Sequence, residues 1–247
     1  MRMQPCMLVC GIVWLMIPGI MFWFGYKQLK LRNLIRDTPT SKVGNMKEGL
    51  TEVYGDVVPI NLHRAPITGT ECAYYSYQVQ EYRSSGKSHH WVTIDQASSD
   101  NVFYIMDETG QAKVRPYGAD FKLDPSFQAA TGSGGLPPNV LAFLQSRNIA
   151  LTGGLFGFAR MLRVFETALV PGKKLYVFGA AVPDPASRAG NMYYVITKGD
   201  NPKLLIISDK AEEHVLNKYT LQVAALMGIA GFLILIGLSM LLMGIFL

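Results

Sequence analysis

The sequence has few of the residues that build metal sites and disulfide scaffolds. Three of its 247 residues are cysteine and four are histidine. Cys6 and Cys10 lie near the start of the chain, which leaves Cys72 alone in the central region. A disulfide within that region is therefore excluded, and no cysteine pair has the spacing of a zinc finger. We predict no metal site, and the cysteine usage fits a reducing compartment.

Charge is absent from two long stretches, residues 7–26 and 221–247. At a rise of about 1.5 Å per residue, the first would span about 30 Å, one hydrocarbon thickness, and the second about 40 Å. The first is not typical of a cleaved signal peptide, because its leading region is short and no small-x-small cleavage site follows. We predict two transmembrane helices, at about 7–26 and 221–244, with both termini on the same side.

These runs divide the chain into three parts. Residues 1–26 form a tail with the first span, residues 27–219 form a soluble domain, and residues 220–247 form the second span. The positive charges nearest the membrane lie mostly on the side of the soluble domain: Lys27, Lys30, Arg32 and Arg36 after the first run, and Lys210 and Lys218 before the second. Only Arg2 lies on the other side. The positive-inside rule therefore places the soluble domain in the cytoplasm.

The first four basic residues after the first run form a basic collar: Lys27, Lys30, Arg32 and Arg36. A collar of this kind is expected to contact anionic lipid headgroups. The net charge of the whole chain is only +5, and the collar accounts for most of that excess, so the sequence gives no sign of a nucleic-acid partner. The predicted partners are the lipid bilayer and a protein that the sequence does not identify.

Strand patterns dominate the soluble region. Residues 72–83 alternate with a period of two, which is typical of a half-buried strand. The alternation predicts two faces: Tyr75, Tyr77 and Val79 on one, and Ser76, Gln78 and Gln80 on the other. A turn at 83–88 and a return strand at 90–96 predict a hairpin. A second hairpin is predicted over 101–118.

The rest of the soluble region predicts one helix and further strands. A Gly/Pro-rich loop at 126–139 leads into a short amphipathic helix at 139–148, and apolar strands follow at 173–182, 191–197 and 203–208. The predicted fold class is α+β. It is a β-rich soluble domain, with a twisted sheet or partial barrel, between two transmembrane α-helices.

The stretch Ser208-Asp209-Lys210 has two interpretations. A desolvated Lys210 could activate the Ser208 hydroxyl as a catalytic dyad, but residues two apart do not share a helix face. Asp209 followed by Glu212 has the spacing of a capping box at the start of a helix. We favour the cap. The capped helix is expected to continue into the second span and to place the domain directly on the bilayer.

Other candidate sites are weaker. His89 and His90 are adjacent, and adjacent residues on a strand point to opposite faces, so they do not readily chelate one ion. The glycine-rich stretch 131–135 lacks the Lys-Ser/Thr that completes a phosphate-binding loop. We predict no catalytic, no cofactor-binding and no metal-binding residues.

The segment 154–169 allows two interpretations. Its apolar residues and two arginines could rest at a membrane interface: Phe156, Phe158, Met161, Leu162 and Phe165, with Arg160 and Arg163. The other interpretation is an ordinary loop and strand, which we favour.

Four blocks of the sequence carry a resemblance to a known family: RDTPTSKVGNMKEGLTEVYGDVVP at 36–59, PITGTECAYYSYQVQEY at 66–82, RVFETALVPGKKLYVFGAA at 163–181, and LLIISDKAEEHVL at 204–216. In this order they resemble the GIDE domain, also called the beside-a-membrane (BAM) domain, of mitochondrial-anchored ubiquitin/SUMO ligases. Those ligases have two spans and a RING finger. The turn 68–72 is one of the landmarks, and its Gly69 is expected to adopt a positive φ.

The chain departs from those ligases in one respect. A RING finger needs paired Cys and His ligands, and this sequence has none at that spacing. The resemblance therefore implies a RING-less, prokaryotic-type relative to which ligase activity is not carried over. We favour a membrane-anchored interaction or scaffolding module. The alternatives are a membrane hydrolase, a ligand or lipid sensor, and a ligase-like protein that acts through a separate partner.

Overall fold

The structure is a computed structural model, and it describes residues 5–86, 88–132, 135–153, 158–185, 193–210 and 212–246. The chain divides into two compact units. One unit is helical and comprises Met1–Pro39 and Ala211–Leu247. The other unit, Thr40–Lys210, holds the strands.

The described residues form three α-helices and fifteen strands. The helices are α1 (Pro5–Asp37), α2 (Pro138–Ser146) and α3 (Glu212–Phe246), with a short 3-10 turn at Val43–Asn45. The strands are β1 (Gly49–Pro59), β2 (His63–Arg64), β3 (Glu71–Cys72), β4 (Tyr74–Ser85), β5 (Ser88–Ser98), β6 (Phe103–Asp107), β7 (Gly110–Val114), β8 (Asp120–Lys122), β9 (Phe127–Ala130), β10 (Thr152–Gly153), β11 (Phe158–Ala159), β12 (Leu162–Leu169), β13 (Lys174–Pro183), β14 (Tyr194–Thr197) and β15 (Ile206–Ser208).

The helical unit contains one helix that could cross a membrane. Within α3, the segment Tyr219–Met240 has 22 residues with a mean hydropathy of 2.4, and no other helix in the described part of the chain qualifies. α1 packs against α3 at Gly25, where an added Cβ would lie 3.3 Å from Cγ of Met227. A small residue at such a crossing lets two helices approach closely.

The predicted first span is helical, but the structure does not establish it as a span. α1 includes residues 7–26 and continues to Asp37. The side chains of residues 5–15 lie outside the described part of the chain, so much of this predicted span is not tested. The placement of the soluble domain between two spans therefore stays a prediction.

The second unit is β-rich, as predicted, and is built on a closed five-stranded barrel. Its strands follow the order β1-β6-β7-β14-β13 and return to β1. Neighbours are antiparallel except β7 and β14, which are parallel. Counted along the chain, the barrel strands are arranged first, second, third, fifth, fourth. This is the strand order of the Greek-key barrel called the OB-fold, and a fold of this kind does not by itself specify a function.

β1 can close the barrel because it changes partner along its length. Its residues Gly49–Asp56 pair with β13, and Asp56–Pro59 pair with β6. At the crossing, a Cβ on Gly55 would lie 2.4 Å from the carbonyl oxygen of Met106, so any side chain there would push β6 away. The space enclosed is filled by buried apolar side chains from the barrel strands, among them Val53, Val57, Phe103, Ile105, Val114, Val177 and Ile196.

A separate antiparallel sheet in the same unit has the strand order β5-β4-β12-β9. α2 covers one face of it, and the core there contains Tyr77, Val79, Val140, Phe143, Leu144, Leu162 and Val164. Burial of a side chain of this size typically contributes about 1.5–3 kcal/mol. The alternation predicted for β4 is confirmed for Tyr77 and Val79, and the opposite face carries the polar set Ser76, Gln78 and Gln80.

The edge strand β5 carries a β-bulge. Val79 pairs with Asp95, but the next residue, Gln80, pairs with Thr93. Ile94 is therefore an extra residue on β5, and its side chain packs against the core that includes α2. A bulge of this type bends the strand and increases its local twist.

Most local predictions are confirmed. β4 with β5, and β6 with β7, form the two predicted hairpins, and α2 forms near the predicted position. The predicted loop 126–139 differs, because Phe127–Ala130 pairs with β12 as strand β9. In the segment 154–169 the described residues form β11 and β12, as favoured. Residues 154–157 and part of 131–135 lie outside the described residues.

The predicted capping box stays a prediction. α3 is described from Glu212, and residue 211 and the side chain of Glu212 lie outside the described residues. The Asp209 carboxylate accepts a hydrogen bond from Nζ of Lys173 at 2.9 Å. Lys173 is distant in sequence, so a local pattern could not indicate this contact.

The turn 68–72 has the predicted geometry. Gly69 has φ of +71°, and its amide donates to the carbonyl oxygen of Ala65 at 2.9 Å. The hydroxyls of Thr68 and Thr70 are 2.8 Å apart and share a hydrogen bond. No atom lies within 4 Å of a Cβ built on Gly69. The cost of a side chain there is therefore conformational and not steric.

We expect Gly69→Val to lower the free energy of unfolding by about 1–2 kcal/mol, because a branched residue is strained in the left-handed region. Thermal melting of the full chain in detergent would measure the change. Gly132→Val is the matched control, because Gly132 has open space and no positive φ. Equal melting temperatures for the two variants would contradict the prediction.

Candidate functional site

A groove lies on the polar face of the four-stranded sheet. It encloses about 980 Å³ and is lined by residues of β4, β5 and β12 and by residues between 119 and 125. We call it the sheet groove. Arg163 is the one charged side chain among its described lining residues. The remainder of the lining is amides, hydroxyls, aromatic rings and small apolar groups.

Strand register brings the polar residues together. Ser76, Gln78 and Gln80 of β4 lie opposite Thr167, Phe165 and Arg163 of β12, respectively. On the other side, Ser98, Gln96 and Thr93 of β5 lie opposite the same three β4 residues. Because residues paired across antiparallel strands share a face, all nine side chains belong to the face opposite α2.

A chain of hydrogen bonds crosses the floor of the sheet groove. Arg163 donates from Nε to Oε1 of Gln80 at 2.5 Å. Gln80 donates from Nε2 to Oε1 of Gln78 at 2.9 Å, and Gln78 donates from Nε2 to Oγ1 of Thr93 at 2.9 Å. The floor is therefore an ordered polar surface that joins three strands.

Aromatic rings hold the arginine at one end of this chain. The guanidinium carbon of Arg163 lies 4.2 Å from the centroid of the Trp91 ring and 5.3 Å from that of Phe165. Trp91 in turn contacts Tyr82, with ring centroids 5.2 Å apart. Contacts of a guanidinium with ring faces are attractive, so they limit the orientations available to Arg163.

The catalytic dyad that was considered for Ser208 and Lys210, and not favoured, does not form. Ser208 is fully buried, its hydroxyl donates to the carbonyl oxygen of Lys122 at 3.3 Å, and it accepts from the backbone amide of Lys210 at 3.0 Å. The Nζ of Lys210 bonds to Asp124 instead, at 3.2 Å. Because the amine is not bonded to the hydroxyl, the pair lacks the geometry for activation.

The remaining candidates are also accounted for structurally. His89 stacks on Tyr82 with ring centroids 5.6 Å apart. Cys72 is buried, and burial, with the nearby Glu166 carboxylate, raises the pKa of its thiol, which reduces the reactive thiolate at neutral pH. Among the described residues no three His, Cys, Asp or Glu side chains are grouped as a metal site would require. The absence of catalytic, cofactor and metal residues stays a prediction.

Two buried carboxylates are committed to structural contacts. Glu166 accepts hydrogen bonds from the amide of Ile67 at 2.7 Å and from the amide and hydroxyl of Thr68 at 2.9 and 2.6 Å. Glu52 accepts from the hydroxyls of Thr40 and Tyr176. A buried carboxylate is stable only when such donors surround it. Glu166 therefore connects β12 to the turn that contains Gly69.

Glu81 lies between two arginines near the end of β4. Its carboxylate accepts from Nε of Arg160 at 2.5 Å and from Nε of Arg83 at 2.6 Å. The bond from Arg160 is the main cause that lowers the pKa of Glu81 to about 2. Arg160 also donates to the carbonyl oxygen of Ala150 at 2.8 Å. Glu81 and Arg160 therefore link β4 to the segment before β10.

Sequence reasoning missed the role of Arg163, Trp91 and Phe165. It considered Arg163 and Phe165 for contact with a membrane, whereas the structure places both in the sheet groove. The period-two pattern of β12 could have indicated this, because Arg163, Phe165 and Thr167 alternate with Val164 and Glu166. The charge of Glu166 interrupts the apolar face and obscures that pattern.

The fold and the groove define a β-barrel domain that has a concave polar surface and is joined in sequence to a strongly apolar helix. The sequence pattern of the GIDE family, described as E3 ubiquitin ligase, matches residues 74–243. The chain belongs to the GIDE family, which confirms the predicted resemblance. No curated protein and no solved structure matches the chain. The matched region includes the three strands that supply the floor of the sheet groove.

We expect the Glu81–Arg160 contact to stabilise the domain at neutral pH and to lose its effect in acid. Because the folded-state pKa is depressed, the contribution is complete above about pH 4.5 and is lost as pH falls toward about 2. Arg160→Gln should cost about 1–2 kcal/mol at pH 7 and much less near pH 2. Melting temperatures of the full chain across this range would show the convergence.

Arg83→Gln is the matched control for this experiment. Arg83 contacts the same carboxylate but its side chain is 53% exposed, so the solvent screens its charge and a smaller effect is expected. A difference between Arg160→Gln and the unaltered chain that stays constant from pH 7 to pH 2 would contradict the assignment.

Proposed function

We propose that this chain is a membrane-anchored, non-catalytic interaction module of the GIDE family, and that the sheet groove is its binding surface. The observation that carries the proposal is the groove itself, a concavity of about 980 Å³ with an ordered polar floor. Binding sites are typically concave and have a few convergent polar groups among apolar walls. Phe121 and Phe165 supply apolar walls here, and Arg163 supplies a polar group.

Two observations support a role without catalysis. The serine and lysine that formed the best candidate dyad point to other partners, and the Cys72 thiol is buried with a raised pKa. The buried carboxylates Glu52 and Glu166 are occupied by structural hydrogen bonds. In the described residues these groups maintain the fold, whereas the groove presents amides and hydroxyls.

A ligase-like function is the second candidate, and the family match favours it. The GIDE family is described as E3 ubiquitin ligase. The three cysteines of this sequence do not supply the paired ligands of a RING finger. We propose that any role in ligation is carried out with a separate catalytic partner, which the groove would help to recruit.

Anchoring is proposed to use two helices, at about 7–26 and 221–244. The apolar segment Tyr219–Met240 supports the second span. The charge-free run of the first and its helical backbone support the first. The excess of Lys and Arg next to both runs supports a cytoplasmic soluble domain. The basic collar of Lys27, Lys30, Arg32 and Arg36 is proposed to contact anionic lipid headgroups.

The topology predicts that both termini lie on the same side of the membrane, opposite the soluble domain. Reporter fusions at each terminus, and a third in the exposed turn at Gly86, would measure sidedness. We expect equal signals from the two termini and the opposite signal from Gly86. Termini on opposite sides would show that the chain crosses the membrane an odd number of times, which would contradict the prediction of two spans.

Site-specific photocrosslinking would test the groove as a binding surface. A photoreactive residue at Gln96, which lines the groove, should trap a discrete adduct in native membranes. Gln145 is the matched control, because it is an exposed glutamine on α2, which covers the opposite face of the sheet. We expect the adduct to disappear when Gln78→Trp fills the groove. Identical patterns from Gln96 and Gln145 would refute the proposal.

A further inference from the structure

The direction of the hydrogen-bond chain on the groove floor is fixed by Arg163. A guanidinium has only donors and cannot accept a hydrogen bond. Gln80 must therefore present its amide oxygen to Arg163, which leaves its amide nitrogen to donate to Gln78. The same argument orients Gln78, whose nitrogen donates to the hydroxyl of Thr93.

This direction determines what the floor offers to a ligand. Each glutamine uses one of its two oxygen lone pairs and one of its two N–H groups inside the chain. Arg163 uses Nε, and no other described residue accepts from its two terminal nitrogens. The chain thus leaves N–H donors available, and Arg163 makes donors the larger share because a guanidinium has no acceptor. No carboxylate is present among the described lining residues that could compete for these donors.

The charge and shape of Arg163 select a particular acceptor. The flat guanidinium fork binds a carboxylate through two parallel hydrogen bonds, and such charge-assisted bonds are stronger than neutral ones. Contacts with Trp91 and Phe165 restrict the fork before a ligand arrives. A side chain that is already ordered loses less entropy on binding.

The spacing along β4 favours an extended peptide over a small anion. Side chains on one face of a strand repeat about every 6.6–6.8 Å, and so do equivalent carbonyl groups along an extended peptide. Ser76, Gln78 and Gln80 follow this repeat along the floor. A peptide that lies along β4 could therefore place every second carbonyl oxygen on successive donors, which a single phosphate could not do.

We infer that the sheet groove binds an extended acidic peptide segment, with a side-chain carboxylate on Arg163 and backbone carbonyls on the amide N–H groups of Gln78 and Gln80. This inference rests on the proposed function, because it takes the groove to be the binding surface. It adds the chemical class of the partner: a protein segment that is extended and negatively charged.

The test is fluorescence anisotropy with the full chain in a neutral detergent and a labelled hexaglutamate peptide, acetylated and amidated at its ends. Hexaserine, hexalysine and inorganic phosphate serve as comparisons at fixed ionic strength. We expect hexaglutamate to bind, hexalysine not to bind, and hexaserine to bind at least tenfold more weakly. Inorganic phosphate should displace hexaglutamate only at concentrations far above those of the peptide.

Arg163→Gln should weaken hexaglutamate binding about tenfold or more, consistent with loss of a charge-assisted pair. Arg115→Gln is the matched control, because it removes the same charge from an exposed residue outside the groove. The double variant Gln78→Leu, Gln80→Leu keeps similar volume and removes the donors, so it tests the floor if Arg163→Gln does not fold. We expect it to weaken binding several-fold.

The outcomes separate this inference from the proposed function. Equal binding of hexaserine and hexaglutamate, or equal losses with Arg163→Gln and Arg115→Gln, would overturn the acidic peptide. Inorganic phosphate that displaces hexaglutamate at concentrations similar to that of the peptide would overturn it in favour of a simple anion. In each case an adduct from Gln96 that Gln78→Trp abolishes would still support the groove as a binding surface.

Discussion

The antiparallel register between β4 and β12 is the constraint on which the rest of the sheet and its groove depend. Eight consecutive pairs join the two strands, from Leu162 opposite Glu81 to Leu169 opposite Tyr74. A slip of one residue would move every side chain of a strand to the other face. Val164 would then enter the groove, and Arg163 would be buried against α2.

Glu166 helps to hold that register. Its carboxylate is fully buried and bonded to Ile67 and Thr68, so a one-residue slip of β12 would break these bonds and leave the donors of Ile67 and Thr68 without their acceptor. A buried donor without an acceptor typically costs about 1–3 kcal/mol. One face of β12 is thus specified by an interior charge and the other by the charge of Arg163. Because successive residues of a strand point to opposite faces, the residues of β12 that hold the fold are separate from those that line the groove.

The local features of the fold were predictable and the long-range ones were not. The β4–β5 hairpin, the faces of β4, the helix α2 and the positive φ of Gly69 follow from alternation, turn residues and periodicity. The ring closure of β1 on β13 and the parallel pairing of β7 with β14 join segments far apart in sequence. Asp209 illustrates the same limit, because its ion pair with Lys173 joins residues that are distant in sequence. Only part of the groove was predictable from the sequence. The alternation in β4 placed Gln78 and Gln80 on one face, but Arg163, which orients them, lies about eighty residues away.

The extra residue at Ile94 has a consequence for how copies of this protein meet. β5 is an edge strand of eleven residues, and an edge strand can pair with the β5 of a neighbour, and then another, in an open-ended ribbon. An incoming strand would have to keep one register along the whole of β5. The bulge at Ile94 shifts the register by one residue, and a bulge increases the local twist, so such pairing would stop after a few residues. The extra residue that packs beneath α2 would therefore also limit edge-to-edge pairing between copies of the chain.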